Sequence, residues 1–204
     1  MSERYFHLDP KDQADALAAG ASSTGRPPHL LEKDIWVVWV LATLFESGVG
    51  AHLVFKGGTA LSKAYKVIQR FSEDVDLTYD IRALAPDLVA GSPEGLDAIP
   101  NSRSQTKRWS DIIRNELLPA WIRDSAEPII RAKLATVGVG ATRIAQDCIY
   151  IDYPPVAAAS RYSLPRVKLE FGARSSGEPS HIIPVQCDLE AVLPDVLFPR
   201  ANPR

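Results

Sequence analysis

Apolar positions along the chain alternate between helical and extended spacing. From His29 to Ser47, Leu31, Ile35, Val38, Trp39, Ala42 and Phe45 recur every three or four residues, and Gly48 to Gly50 punctuate the end. That pattern predicts a core helix. Upstream, Asp9-Pro10 has the form of an N-cap followed by a first-turn proline, opening a short helix through Ala19 that ends at Gly20, with a polar connector after it. Leu53-Val54-Phe55 reads as a short buried strand running into Lys56-Gly57-Gly58-Thr59, and Thr59 to Ile68 as a helix with Leu61, Tyr65 and Ile68 on one face. In Val75 to Tyr79 the pattern returns to alternation, with Asp74, Asp76 and Thr78 facing one way and Val75, Leu77 and Tyr79 the other. Helical spacing covers Thr106 to Arg123 and Glu127 to Ala135. Strands of one sheet are predicted at Cys148 to Tyr153, Arg166 to Phe171 and His181 to Cys187. This order predicts an α/β (α+β) fold with a mixed sheet flanked by helices.

Composition narrows the picture a little. A chain of 204 residues with 46% apolar and 24% charged residues suits one domain with its own core. Residues 1–50 are expected to supply N-terminal helices and residues 51–190 the core that carries chemistry. Prolines concentrate between Ala85 and Pro100 and again from Pro179 onward, which predicts irregular loops there. A net charge of -2 gives no global attraction to nucleic acid, so any such contact must use a local basic surface. Cys148 and Cys187 lack metal-ligand spacing and are too few for a disulfide framework, which points to a reducing cytoplasm. The charged N-terminus lacks a signal-peptide core. The longest apolar run, Ile35 to Phe45, falls short of the roughly 20 residues that cross a bilayer, so no membrane association is expected.

Two local patterns carry candidate chemistry. A strand that enters Gly57-Gly58-Thr59 and leaves as a helix presents backbone N–H groups, unobstructed by Cβ atoms, at the positive end of a helix. Such a bend can hold a phosphate, with the Thr59 hydroxyl and the Lys56 and Lys63 charges around it; a plain tight turn with solvated lysines is the alternative. Asp74-Val75-Asp76 sets two carboxylates on one face of a strand whose other face is apolar. Like charges beside a core are costly without a cation, so Asp74 and Asp76 are read as ligands of Mg²⁺, with Mn²⁺ as the alternative metal. Glu170, between Leu169 and Phe171, is either a third metal ligand or an ordinary outward-facing glutamate beside Lys168. Eight basic residues between Arg103 and Arg143, with Trp109 and Trp121 among them, fit either a single-stranded RNA end or two amphipathic helices with basic outer faces.

These residues resemble the AbiEii/AbiGii nucleotidyltransferase toxins of type IV toxin–antitoxin and abortive-infection systems, within the DNA polymerase β-like nucleotidyltransferases. The resemblance runs through Leu31-Glu32-Lys33-Asp34-Ile35-Trp36, Phe55-Lys56-Gly57-Gly58-Thr59-Ala60-Leu61-Ser62-Lys63 and Arg70-Phe71-Ser72-Glu73-Asp74-Val75-Asp76-Leu77. Leu169-Glu170-Phe171, followed by Gly172-Ala173-Arg174, is similar to the later acid-bearing strand. The resemblance implies a polymerase β-like core, Asp74, Asp76 and Glu170 as catalytic metal ligands, and a nucleoside triphosphate held near Lys56, Gly57, Gly58, Thr59 and Lys63. Ser72 matches a serine that is modified in some relatives to silence the toxin. Expected partners are a cognate antitoxin protein and a tRNA 3′ end as acceptor. The resemblance also implies a C-terminal helical region bearing a lysine and an acid, for which Ala201-Asn202-Pro203-Arg204 offers no counterpart; a truncated or degenerate copy is therefore expected. Competing expectations are transfer to a small molecule or protein, a non-catalytic remnant that binds nucleotide or antitoxin, and a sugar-nucleotide transferase using Asp74-Val75-Asp76.

Overall fold

The computed structural model describes residues 4–68, 74–89, 102–157, 163–175 and 179–204. After the short helix α1 (Arg4–His7), α2 (Pro10–Thr24) starts at Asp9, whose carboxylate accepts the N–H groups of Lys11 and Asp12 at 2.9 Å each. The helix does not stop at Gly20, as its sequence suggests; it ends at Gly25, which takes the left-handed conformation at φ 71°. Gly20 is there for contact instead, because a Cβ at that position would run into Leu189.

The next helix, α3 (Pro28–Phe45), is buried at every position from Leu31 to Leu44. It packs against α2 and, further along the chain, against the segments Glu127–Val137, Arg166–Ser175 and Arg200–Ala201. A 3-10 turn (Gly48–His52) leads into β1 (Leu53–Lys56), α4 (Gly57–Lys63), β2 (Asp74–Asp80) and the short helices α5 (Ile81–Leu84) and α6 (Pro86–Val89). Helix α4 stops well before the predicted Ile68. Lys66 adopts a positive φ of 54°, which a continuing helix does not allow.

Residues 103–137 form one helical run, where two helices were predicted. It comprises α7 (Arg103–Ile112), a π turn (Ile113–Leu117), α8 (Leu118–Trp121), a second π turn (Ile122–Ala126) and α9 (Glu127–Val137). Each π turn directly precedes a segment with proline in its first turn, Pro119 and Pro128. A proline ring cannot donate to the carbonyl four residues back and crowds it, and a locally widened turn relieves this without breaking the helix.

β3 (Ala141–Ala145), β4 (Cys148–Asp152) and β5 (Arg166–Ser175) complete a five-stranded mixed sheet of order β1-β2-β5-β4-β3, in which only β2 and β5 are parallel. One face is apolar, with Leu53, Phe55, Val75, Leu77, Ile149, Ile151, Val167, Leu169 and Phe171 all buried. The predicted strand at His181 to Cys187 is corrected: only β6 (Val185–Gln186) forms there, and it pairs with β7 (Arg200–Ala201) in a separate two-stranded ribbon. That ribbon and the chain around it close over α3 and β1, with the Phe55 N–H donating to the Arg204 carbonyl at 2.7 Å. Among the described residues no helix is long and apolar enough to cross a membrane.

Three charged residues lie inside α3. The Glu32 carboxylate accepts the N–H groups of Val156 and Ala157 at 2.7 and 3.2 Å, and Lys33 Nζ donates to Ser163 Oγ at 2.7 Å. Asp34 accepts the Asp188 N–H at 2.7 Å and lies 2.6 Å from Lys63 Nζ, which also reaches Asp188 Oδ1 at 2.8 Å. Burial raises the Asp34 carboxyl above its ordinary range, opposed by the Lys63 ammonium. Burial alone would depress Lys63, but the two carboxylates outweigh it and hold the ammonium charged. Removing one member of such a buried pair strands the other charge. Asp34→Ala is therefore expected to cost about 3–5 kcal/mol in urea unfolding. Arg26→Ala, which loses only the half-exposed contact to Asp188, should cost about 0–1 kcal/mol. Equal losses would show that the buried network does not hold the fold.

Candidate active site

Strand register builds the site. Asp74 lies opposite Lys168 and Asp76 opposite Glu170 across the parallel β2–β5 pair, while Lys56 lies opposite Asp76 on β1 and Cys148 opposite Glu170 on β4. Because cross-strand neighbours share a face, Asp74, Asp76 and Glu170 all stand on the face turned away from the apolar core. Lys168 Nζ bridges them, 2.8 Å from Glu170 Oε2 and 3.6 Å from Asp74 Oδ2.

Electrostatic strain on this face centres on Asp76. Its carboxyl is raised above the ordinary value by burial and then by the neighbouring Glu170 and Asp74 charges, against the pull of Lys56 and Lys168. Lys168 is raised as well, chiefly through its hydrogen bond to Glu170. Burial with nearby acids pushes the Cys148 thiol up to about 11, which keeps it protonated and unsuited to nucleophilic work.

The diglycine bend meets this row directly. Gly57 has φ 75°, and a Cβ there would overlap the Asp76 carboxylate, so glycine is required both by conformation and by contact. Thr59 is buried, and its hydroxyl donates to the Asp74 carbonyl at 2.5 Å, tying α4 to the start of β2. Within the protein the Thr59 hydroxyl is engaged by the Asp74 carbonyl, and Lys63 pairs with Asp34 and Asp188. Lys56 stays exposed beside Asp76. Ser72 lies outside the described residues.

Thr78 continues the Asp74–Asp76 face as its alternation predicts; that its hydroxyl is buried with no hydrogen-bond partner among the described residues, and that a cavity opens beside it, were not legible beforehand. A Cβ built on Gly172 would lie 3.6 Å from Thr78 Oγ1 and 3.8 Å from Lys56 Nζ, so the glycine leaves a gap between them. Lys56, Asp76, Glu170 and Gly172 also line a cavity of about 770 Å³ whose other wall comes from the helical run, at Thr106, Trp109, Ser110, Ile113 and Arg114.

Carboxylates in a row, crowded by their own charge and facing an open cavity, are the donor set that a hard divalent cation takes together with substrate phosphates. Among the described residues they do not form a cluster of three groups placed to hold a metal ion. Asp76 and Glu170, opposite each other across β2 and β5, are the two acids of the row that line the cavity.

An acid–hydrophobe–acid strand after a diglycine bend, paired with a second acid-bearing strand, defines a nucleotidyltransferase-type site. The profile of the nucleotidyl transferase AbiEii toxin family, type IV toxin–antitoxin system, matches residues 39–203, and the chain belongs to that family. The match begins at Trp39, so Leu31 to Trp36 of the resemblance lie outside it. No curated protein matches the chain. Nor does any solved structure. Membership supports nucleotidyl transfer as the general activity and an antitoxin as partner.

The two glycines should respond oppositely to substitution. Gly57→Ala combines a strained φ with displacement of Asp76 and is expected to lose about 1–2 kcal/mol in thermal unfolding. Gly172→Ala makes only ordinary contacts and should change stability by no more than about 0.5 kcal/mol. Equal tolerance at both positions would contradict the described bend.

Proposed function

We propose that this protein is a Mg²⁺-dependent nucleotidyltransferase toxin that moves a nucleoside monophosphate from a nucleoside triphosphate to the 3′-terminal hydroxyl of a tRNA. The observation that carries the reading is the row Lys56–Asp76–Glu170, in register across three strands and leaning on the Gly57 bend. Family membership supports the general reaction.

Asp74, Asp76 and Glu170 would hold Mg²⁺, or Mn²⁺, which supplies charge neutralisation at the phosphates and the attacking oxygen. Lys56 adds a positive charge beside Asp76, and Gly57 lets the Asp76 carboxylate close against the bend. The acceptor oxygen forms a bond to the α-phosphorus, the bond from that phosphorus to the bridging oxygen breaks, pyrophosphate leaves, and the hydroxyl proton passes to solvent. Lys168, held between Asp74 and Glu170, fixes the orientation of both carboxylates. The protein's contribution is thus alignment and a preset electrostatic field.

An RNA acceptor draws support from the same sheet face. Beyond Lys168 lies Tyr150, with the Arg143 guanidinium 4.1 Å and the Arg166 guanidinium 5.3 Å from its ring centre. An aromatic ring flanked by positive charge suits a single-stranded end. Of these charges Arg166 is paired with Asp152, as Arg123 on the helical run is with Asp124 and Arg131 with Glu127, so Arg143 beside Tyr150 carries most of this support. A cytoplasmic setting and a cognate antitoxin complete the reading.

The test is transfer from α-labelled nucleoside triphosphates in a lysate with Mg²⁺, followed by fractionation into RNA, protein and small molecules. Label should enter RNA, and Asp74→Asn or Asp76→Asn should lower the rate by at least about 10²–10³ while the fold persists. Label in protein or small molecules alone would overturn the tRNA acceptor. Nucleotide binding without turnover would mark a non-catalytic remnant.

A further inference from the structure

The cavity has two unlike ends. Its floor carries Lys56, Asp76 and Glu170, and its far wall is a single stripe of the helical run, Thr106, Trp109, Ser110, Ile113 and Arg114. Those positions recur at three- and four-residue intervals, so they project from one side of the helix. With a divalent cation on the acidic floor, a ligand that fills both ends joins an anionic part to a flat part that meets Trp109 and Ile113 and carries polar edges for Ser110, Arg114 and Asp111, which also lines the wall. At about 770 Å³ the space is of the size of sites that enclose whole small molecules.

The two tryptophans of this run differ in what they do. Trp121 is used in packing, with ring centres 4.2 Å from Tyr79 and 5.5 Å from Phe171. Trp109 lies on α7, a helix in which no residue is fully buried, and among the described residues no aromatic ring packs against it. Its indole lines the cavity all the same. The indole is partly buried against the edge of the core, and the part of it that lines the cavity offers a stacking surface.

We infer that this wall is the base subsite of the donor nucleotide, with Trp109 as the surface on which the base stacks and Ser110 and Arg114, beside it on the stripe, contacting the base edge. The inference rests on the nucleotidyl-transfer reading and extends it to residues outside the strand motifs. A donor triphosphate can present its phosphates to the floor and its base to the helix within one molecule.

Calorimetry with Mg²⁺ and two probes tests this: inorganic tripolyphosphate, which has the phosphates alone, and each of ATP, GTP, CTP and UTP. Wild type should bind at least one nucleotide about tenfold to a hundredfold more tightly than tripolyphosphate, the range that one stacked base supplies. Trp109→Ala should reduce that nucleotide to the tripolyphosphate level and leave tripolyphosphate binding unchanged, whereas Trp109→Phe should keep most of the difference. Thermal melting of both variants checks the fold. If Trp109→Ala keeps the nucleotide preference, or wild type shows none over tripolyphosphate, the base subsite is wrong while the phosphate site stands. If wild type binds neither probe, the nucleotide reading itself fails, and this inference with it.

Discussion

Two parallel strands hold carboxylates at the same level, and the site follows from that constraint. Neighbouring strands lie roughly 5 Å apart, so Asp76 and Glu170 cannot separate their charges without breaking the register. The apolar partners on the opposite face, Val75 and Leu77 on β2 and Leu169 and Phe171 on β5, are buried, and a one-residue slip would carry them to the open face. The hydrophobic core thus enforces an arrangement that electrostatics disfavours. Lys56 and Lys168 relieve part of the repulsion, and burial, followed by the Glu170 and Asp74 charges, leaves Asp76 with a raised proton affinity. A surface built in this way is short of positive charge before any ligand arrives.

The buried charges of α3 serve the same face from behind. Asp34 holds Lys63 at the C-terminal end of α4, and the N-terminal end of α4 is the Gly57–Gly58 bend. Thr59 adds a second tether, from α4 to the Asp74 carbonyl. Helix α4 has only seven residues and cannot fix its own position through helical propensity; its two ends are tied to α3 and to β2. Asp188 brings the chain leading to β7 into the same network. The Glu32-Lys33-Asp34 run therefore acts as scaffold: each side chain satisfies a polar group from a different part of the chain, and none reaches the cavity.

Where periodicity was strong, the chain disclosed its structure. The α3 stripe and the alternation in β2 and β5 placed the helix, the strands and the shared face of Asp74, Asp76 and Thr78. What escaped was set by tertiary contact. Gly20 imitates a helix stop but sits inside α2 because Leu189 needs the room. β3 went unseen because it is an edge strand with mostly exposed residues and so lacks an apolar alternation. Nothing local to the diglycine announces Asp34 and Asp188 as partners of Lys63, or the Asp74 carbonyl as the partner of Thr59. Ser72 falls outside the described residues. The AbiEii resemblance agrees with the family match over the bend and both acid strands.

The division of labour between sheet and helix also explains why the two halves of the cavity differ so much in sequence character. Strand positions on the open face are fixed to within a residue by pairing on both sides, which suits groups that must hold a charge at a set distance. The helical run is held differently. Ile113, Leu118, Ile122, Ala126, Ile130 and Leu134 are buried along its middle and C-terminal part, while α7 extends from that anchored portion with no residue fully buried. The π turns at Ile113–Leu117 and Ile122–Ala126 each insert extra backbone into the run and so shift the helical phase. Trp109 and Arg114 line the cavity, while Trp121, on the same run, packs on Tyr79 and Phe171. Pairing on both sides holds β2 and β5 in the floor, whereas among the described residues α7 meets the core through the partly buried Trp109.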